Sequence, residues 1–195
     1  MNAGRKKKHG RVLALMRTFY FASKTRRDSP RGASIMSRPH LHDAAQRFCS
    51  EFAGKKSIDT LLGHFSKTRP CEVIEHGLPE LAPFLGKPFK GHDGVRHYFS
   101  TVAALITYEN MHFPDSEYDY VVDTDARKVS VKGTAVFTWV ATGKSWGETF
   151  AYVLDFDDEY KVARYQIWGD TGAMYLATQG RLRQVGDQQW HRFTV

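Results

Sequence analysis

Between Lys128 and Ala177 the chain repeats one pattern three times: large apolar residues alternate with small or polar ones and are broken by short turns. Val129, Val131, Ala135, Phe137 and Trp139 alternate with Ser130, Lys132, Thr134 and Thr138. After Thr142-Gly143-Lys144 the period returns in Trp146, Phe150, Tyr152, Leu154 and Phe156, and after Asp157-Asp158-Glu159 in Val162 to Trp168. A period of two predicts half-buried strands, and turns this short predict antiparallel neighbours. Trp168-Gly169-Asp170 then opens a short helix, with Asp170 as its cap. The segment reads as the closing half of a curved sheet that would wall a pocket. Gly133 falls where the large side chains lapse, the position expected for a bulge or bend.

The segment before it is helical in pattern. From Asp43, Ala44, Phe48 and Phe52 recur every four residues, and Ile58, Leu61, Leu62 and Phe65 share one face after Ser57, a plausible N-cap. Thr68 to His76 reads as a short strand. Gly77, Pro79, Pro83, Gly86 and Pro88 then force an irregular connection, rigid enough to line a site. A third helix is predicted from Asp93, its N-cap, with Val95, Tyr98, Phe99, Val102, Leu105 and Ile106 on one stripe. Ser116 to Val122 reads as a further strand. Helices packed on a bent antiparallel sheet make an α+β domain.

The formal charge of +7 is not spread along the chain. Residues 1–35 hold ten Lys/Arg against the single acid Asp28, which leaves 18 basic and 20 acidic residues in 36–195. The folded part is nearly neutral, so nucleic acid is not its expected partner. Residues 1–41 read as a basic extension, open to three interpretations: a transit peptide, a nuclear-localisation or nucleic-acid patch at Lys6-Lys7-Lys8, or an unstructured tail ahead of a natural start at Met36. Residues 42–180 form the predicted domain, and 181–195 a polar tail carrying Trp190. Two cysteines, Cys49 and Cys71, are too few for a disulfide framework. With no apolar run near membrane-span length, a cytoplasmic protein is expected, or a mitochondrial one if the extension is a transit peptide.

Gly91-His92-Asp93-Gly94-Val95-Arg96 at the third helix and Val162-Ala163-Arg164-Tyr165-Gln166-Ile167-Trp168-Gly169-Asp170 at the end of the sheet give the chain a family likeness. With the element order, they resemble the nuclear transport factor 2-like superfamily. Within it the chain is similar to the SnoaL-like group of polyketide cyclases and ketosteroid isomerase relatives, and to its uncharacterised fungal members. The resemblance covers about residues 42–180. It implies a cone-shaped, cystatin-like fold, with three N-terminal helices and the sheet enclosing a pocket, commonly paired as a homodimer.

The catalytic candidates are Glu75, His76 and Asp170. Glu75-His76-Gly77 ends the short strand where isomerase-like members carry a carboxylate base, although those members continue with Asp-Pro. A carboxylate in an apolar cavity has its pKa raised toward neutrality, which suits it to removing a proton next to a carbonyl. His76 would be the acid, or itself the base. The bland alternative is a Glu facing water at a strand end. Glu148 is in register with Trp146, Phe150 and Tyr152 and is either a buried acid or an edge residue pairing with Lys132 or Arg164, the edge reading being favoured. Asp170 is first a helix cap and second a catalytic group. Tyr98, Trp139, Trp146, Phe150, Tyr152 and Trp168 are expected in the core or along pocket walls suited to a flat apolar molecule.

His92, His97 and His112 lack metal-ligand spacing, and neither metal nor cofactor is expected. The functions expected are a cofactor-independent isomerase, cyclase or dehydratase acting on a small apolar molecule, or a non-catalytic ligand-binding or dimeric adaptor domain.

Overall fold

The computed structural model describes residues 36–183; residues 1–35 of the basic extension, and the tail from residue 184 with Trp190, lie outside the described residues, while residues 38–41, also assigned to the extension, belong to the first helix. The elements run α1 (Arg38–Ala53), α2 (Ile58–Leu62), β1 (Glu72–His76), β2 (Phe89–Lys90), α3 (Gly91–Leu105), β3 (Ile106–His112), β4 (Val121–Asp123), β5 (Lys128–Trp139), β6 (Lys144–Phe156), β7 (Val162–Trp168) and α4 (Thr171–Thr178). The fold is α+β. Its one sheet has the order β2-β1-β7-β6-β5-β3, with β4 also paired to β5. Among the described residues no helix is long and apolar enough to cross a membrane.

The period-two segment folds as its pattern dictates. β5 and β6 pair residue for residue from Lys128↔Asp155 to Trp139↔Lys144, and β6 continues antiparallel to β7. One departure is at Gly133, which pairs regularly with Phe150 and is no bulge. A Cβ there would stand 2.6 Å from the Phe150 ring and 2.7 Å from Phe113, so the glycine makes room for two aromatic rings. The irregularity lies across the sheet in β3, where the register shifts between Glu109 and His112 and Asn110 takes φ 52°.

The helices depart from expectation mainly at their ends. α1 begins at Arg38 rather than Asp43, because Ser37 caps it by accepting from the His40 N–H and Pro39 suits the first turn. α2 is shorter than the Ser57–Phe65 pattern, although Ser57 is its cap as expected. Asp93 is not the cap of α3. Phe89-Lys90 pairs with β1, so the chain enters the helix directly from a strand and Lys90 takes the cap position, with no side-chain capping bond.

Ile106, assigned by its spacing to the helix, instead begins β3 opposite Trp139. The Ser116–Val122 segment divides into a 3-10 turn at Glu117–Asp119 and the three-residue β4. Among the described residues α4 brings the helices to four, and the third follows two strands.

The sheet is mixed, not wholly antiparallel: β1 runs parallel to β7, from Glu72↔Arg164 to His76↔Trp168. Asp157, fully buried in the β6–β7 turn, anchors this pairing. Its carboxylate accepts from the Ser66 hydroxyl, from Thr68 Oγ1 (3.3 Å), and from the backbone N–H groups of Glu159 (2.8 Å) and Lys161 (2.9 Å). Backbone bonds Ser66 N–H to Val162 O (2.9 Å) and Val162 N–H to His64 O (2.8 Å) continue the tie. Above the sheet, Phe48 of α1 meets Phe65 and Tyr165 edge to face, at ring separations of 6.0 and 5.1 Å.

Burial alone would raise the Asp157 pKa, but the bonds from Ser66, Lys161, Glu159 and Thr68 hold it below the usual Asp value. Stability from a lowered carboxyl is present above the unfolded pKa and is lost as pH falls through the folded one. Asp157→Asn is therefore expected to cost about 2–3 kcal/mol near neutral pH, by leaving buried donors unmatched. Urea unfolding should find that difference shrinking as pH falls below the ordinary Asp value of about 3.9 toward the lowered folded one.

Candidate active site

β1 is short and its side chains alternate across the sheet, so Glu75 and His76 point to opposite sides. Glu75 faces inward, toward α3, and its Oε2 accepts a 2.5 Å hydrogen bond from the Tyr98 hydroxyl. His76 faces outward, stacks on Trp168 with ring centroids 4.1 Å apart, and meets Gln166 Oε1 at 3.2 Å. Trp168 is 42% exposed on that outer face.

Glu75 lines a cavity of about 40 Å³ with Ile106, Phe137, Trp146, Glu148, Gly169, Asp170, Thr171 and Met174. This corrects the edge reading of Glu148. Lys132 pairs across from Ala151, and Arg164 is taken by Glu72 (2.6 Å) and Asp155 (3.9 Å), so neither meets Glu148. Its Oε2 instead accepts from Trp146 Nε1 (2.6 Å) and from the Asp170 backbone N–H (3.3 Å). Gly169 is what lets the carboxylate in, since a Cβ at that position would stand 2.6 Å from Glu148 Oε1.

Asp170 caps α4 as expected, its Oδ1 accepting from the Ala173 N–H at 2.8 Å, and it also forms part of the cavity wall. Three acids thus meet at this cavity, contributed by β1, β6 and the start of α4.

The remaining candidates separate. Phe150 and Tyr152 are buried against each other, rings 4.9 Å apart, and Tyr152 meets Tyr165 edge to face at 4.8 Å; they form core behind the cavity. Trp139 is buried opposite Ile106 at the end of the sheet. The Pro/Gly-rich connection contributes no wall residue. It buries Phe84 and Leu85 in the core and is tied to β1 by the Gly86 N–H to Glu75 O bond (2.8 Å). His92 bonds Ser66 O at 2.9 Å, and His97 lies against Phe89. Among the described residues no three His, Cys, Asp or Glu side chains stand where they could hold a metal ion.

Ile106, Phe137, Gly169, Thr171 and Met174 were not foreseen as wall residues. Their sequence signals are weak: Ile106 follows Leu105, Phe137 alternates with Trp139, Gly169 and Thr171 flank Asp170, and Met174 lies one helical turn beyond it.

A larger hollow, about 510 Å³, lies elsewhere, among residues including Arg69, Glu72, Lys90, Arg127, Asp155 and Arg164. Its acids are held by Arg164 and Lys128. The two carboxyls with raised pKa, Glu75 and Glu148, line the smaller cavity, which makes it the candidate site.

Burial raises the Glu75 pKa to about 7, the Tyr98 hydrogen bond works against this, and the negative charge of Glu148 adds to it. Glu148 is raised as well, chiefly by burial and against the bonds from Trp146 and Asp170, with the Asp170 charge adding to the rise. Two carboxyls of raised pKa within one small volume are an arrangement able to take up and give back a proton.

Compared by sequence, the chain matches no protein-family model and no curated protein. Compared by structure, it superposes on a nuclear transport factor 2-like protein of Burkholderia xenovorans with TM-score 0.56 and 19% identity, over 73% of this chain and 98% of that one. The chain has the nuclear transport factor 2-like fold. BvnE pinacolase of Penicillium brevicompactum superposes with TM-score 0.53 and 20% identity, over 73% of this chain and 92% of that one. SalBIII, described as an epoxide hydrolase/cyclase-like enzyme in pyran ring formation in salinomycin, gives TM-score 0.51 and 14% identity over 68% and 92%. At these identities the likeness is one of fold.

Tyr98→Phe removes the one hydroxyl donor to Glu75 and should raise its pKa further, by about one unit. Carbon-13 NMR titration of the carboxyl reads this directly. A raised carboxyl also destabilises the folded state as pH climbs from the unfolded pKa toward about 7, because the unfolded chain ionises first. Glu75→Gln should flatten that decline, and above neutrality it should unfold at higher denaturant than the wild type, by about 1–3 kcal/mol.

Proposed function

We propose that the protein is a cofactor-independent enzyme of the isomerase, cyclase or dehydratase type, moving a proton next to the oxygen function of a small apolar molecule, with Glu75 as the base. The observation that carries this reading is an inward-facing carboxyl, on a cavity wall, with a pKa of about 7. A base poised there is ionised often enough to act and basic enough to accept a carbon-bound proton.

Glu148 complements it. The two acids repel while both are charged, so a proton taken by Glu75 relieves the repulsion. Glu148, when it carries the proton, donates to the substrate oxygen where negative charge develops. Trp146 and the Asp170 N–H fix the Glu148 carboxyl, and Tyr98 fixes that of Glu75. Phe137, Trp146, Ile106 and Met174 supply apolar walls. Asp170 acts by orienting Glu148 and capping α4. His76 takes no part, since its ring lies on the other face of the sheet. That a pinacolase and an epoxide hydrolase/cyclase-like enzyme share this fold supports an enzymatic reading.

The test is deuterium uptake at the carbon next to the carbonyl of cyclopentanone in D2O, followed by NMR. The wild type should accelerate exchange with a rate that rises with pH to a plateau, its midpoint near the Glu75 value of about 7 and belonging to the coupled pair. Glu75→Gln should lower the rate by about 10²-fold or more. His76→Ala should leave it within a factor of about three, as expected for a residue outside the cavity. Binding of the ketone with no exchange above buffer would make this a ligand-binding domain instead.

A further inference from the structure

The cavity is too small for the molecules its chemistry would serve. About 40 Å³ holds little more than water, whereas roughly 150 Å³ is needed for a single six-membered ring. For a ring compound to reach Glu75 and Glu148, a wall must give way.

The walls differ in how firmly they are held. Phe137 and Trp146 sit directly opposite each other on β5 and β6, within a twelve-pair ladder, and their rings pack at 5.7 Å. Ile106 joins α3 to β3, with its N–H on Val102 O, and is paired with Trp139. Gly169, Asp170 and Thr171 contribute a turn that is bonded to Glu148 and capped. Met174 alone among the apolar wall residues comes from α4, an eight-residue helix. The body holds that helix by the Asp170 turn at one end and by Thr142 Oγ1 donating to Ala177 O (2.8 Å) near the other. The other side of α4 faces solvent, with Tyr175 40% and Leu176 39% exposed. Met174 itself is buried, at 4%. An unbranched thioether with three rotatable bonds is the side chain best able to fill a gap and then vacate it.

We propose that Met174 is the size gate of this site: its side chain fills the space a substrate ring would occupy, and its displacement sets the largest neutral ring compound the cavity admits. The inference rests on the proton-transfer reading of the cavity. It makes the free protein a closed form, whose apparent affinity is reduced by the rarity of the open one. Substrate selection then falls to α4, while the chemistry stays on the sheet.

Affinities for cyclopentanone and for the fused bicyclic 1-indanone, measured by ligand-observed NMR on the full chain, test this. Met174→Ala should bind 1-indanone about tenfold or more tightly than the wild type, the equivalent of roughly two newly buried methylenes, and Met174→Leu, which keeps the volume but is branched and stiffer, should bind it no more tightly than the wild type. In wild-type protein labelled at the methionine methyls, saturating cyclopentanone should shift the Met174 methyl signal and leave that of Met111 in place; this measurement decides the matter if the Ala variant does not fold.

Equal affinities of wild type and Met174→Ala for 1-indanone would overturn the gate, as would a Met174 methyl unmoved while ketone binds, or no ketone binding by any form. Binding that responds to Met174 without deuterium exchange would sink the proton-transfer reading and leave the gate standing. Exchange indifferent to Met174 would do the reverse.

Discussion

Everything at the site depends on the parallel pairing of Glu72–His76 with Arg164–Trp168. The two strands are about ninety residues apart in sequence, and closing so long a loop has to be offset by strong local anchoring. Asp157 provides it, buried and bonded to side chains and backbone from both sides of the junction. Without that register Glu75 would lie on an edge strand in water, as an isolated reading of its strand end allows. With it, Glu75 faces α3 and comes to share a cavity with Glu148, which lies two strands away on β6.

The same packing sets the chemistry. A carboxyl that is buried and next to another carboxyl is costly when charged, and the protein accepts that cost at two positions while giving Glu75 one donor, Tyr98, and Glu148 two, Trp146 and the Asp170 N–H. Asp157 shows the opposite solution within the same domain. It too is buried, yet enough donors surround it that its charge is favoured. Burial is common to all three acids. The number of donors separates the acid whose charge is favoured, Asp157, from the two whose proton is held more tightly than usual, Glu75 and Glu148.

Much of the fold was legible in the sequence because it depends on local periodicity. The β5–β6–β7 alternation, the Ser57 cap and the Asp170 cap each follow from residues within a few positions of one another. The misses share a cause. Ile106 fits a helical stripe and a strand equally well, and only pairing with Trp139 resolves it. Gly133 resembles a bulge until Phe113, twenty positions away, is seen lying over it. Asp93 would make a good cap, but β2 pairs with β1 just before it and moves the helix start to Gly91.

The sequence by itself determined the class of fold, the curved sheet and the short list of acids, since alternation, turn chemistry and capping are properties of neighbouring residues. Tertiary structure decided which acids meet. Glu75 was separated from His76 by the pleat of one strand, and Glu148 was moved from an assumed edge into the cavity by Trp146, the Asp170 N–H and the bare backbone of Gly169. It also decided how much space remains, and assigned that space to Met174. Relations of this kind depend on which distant segments are brought into contact, and periodicity along the chain carries no record of that.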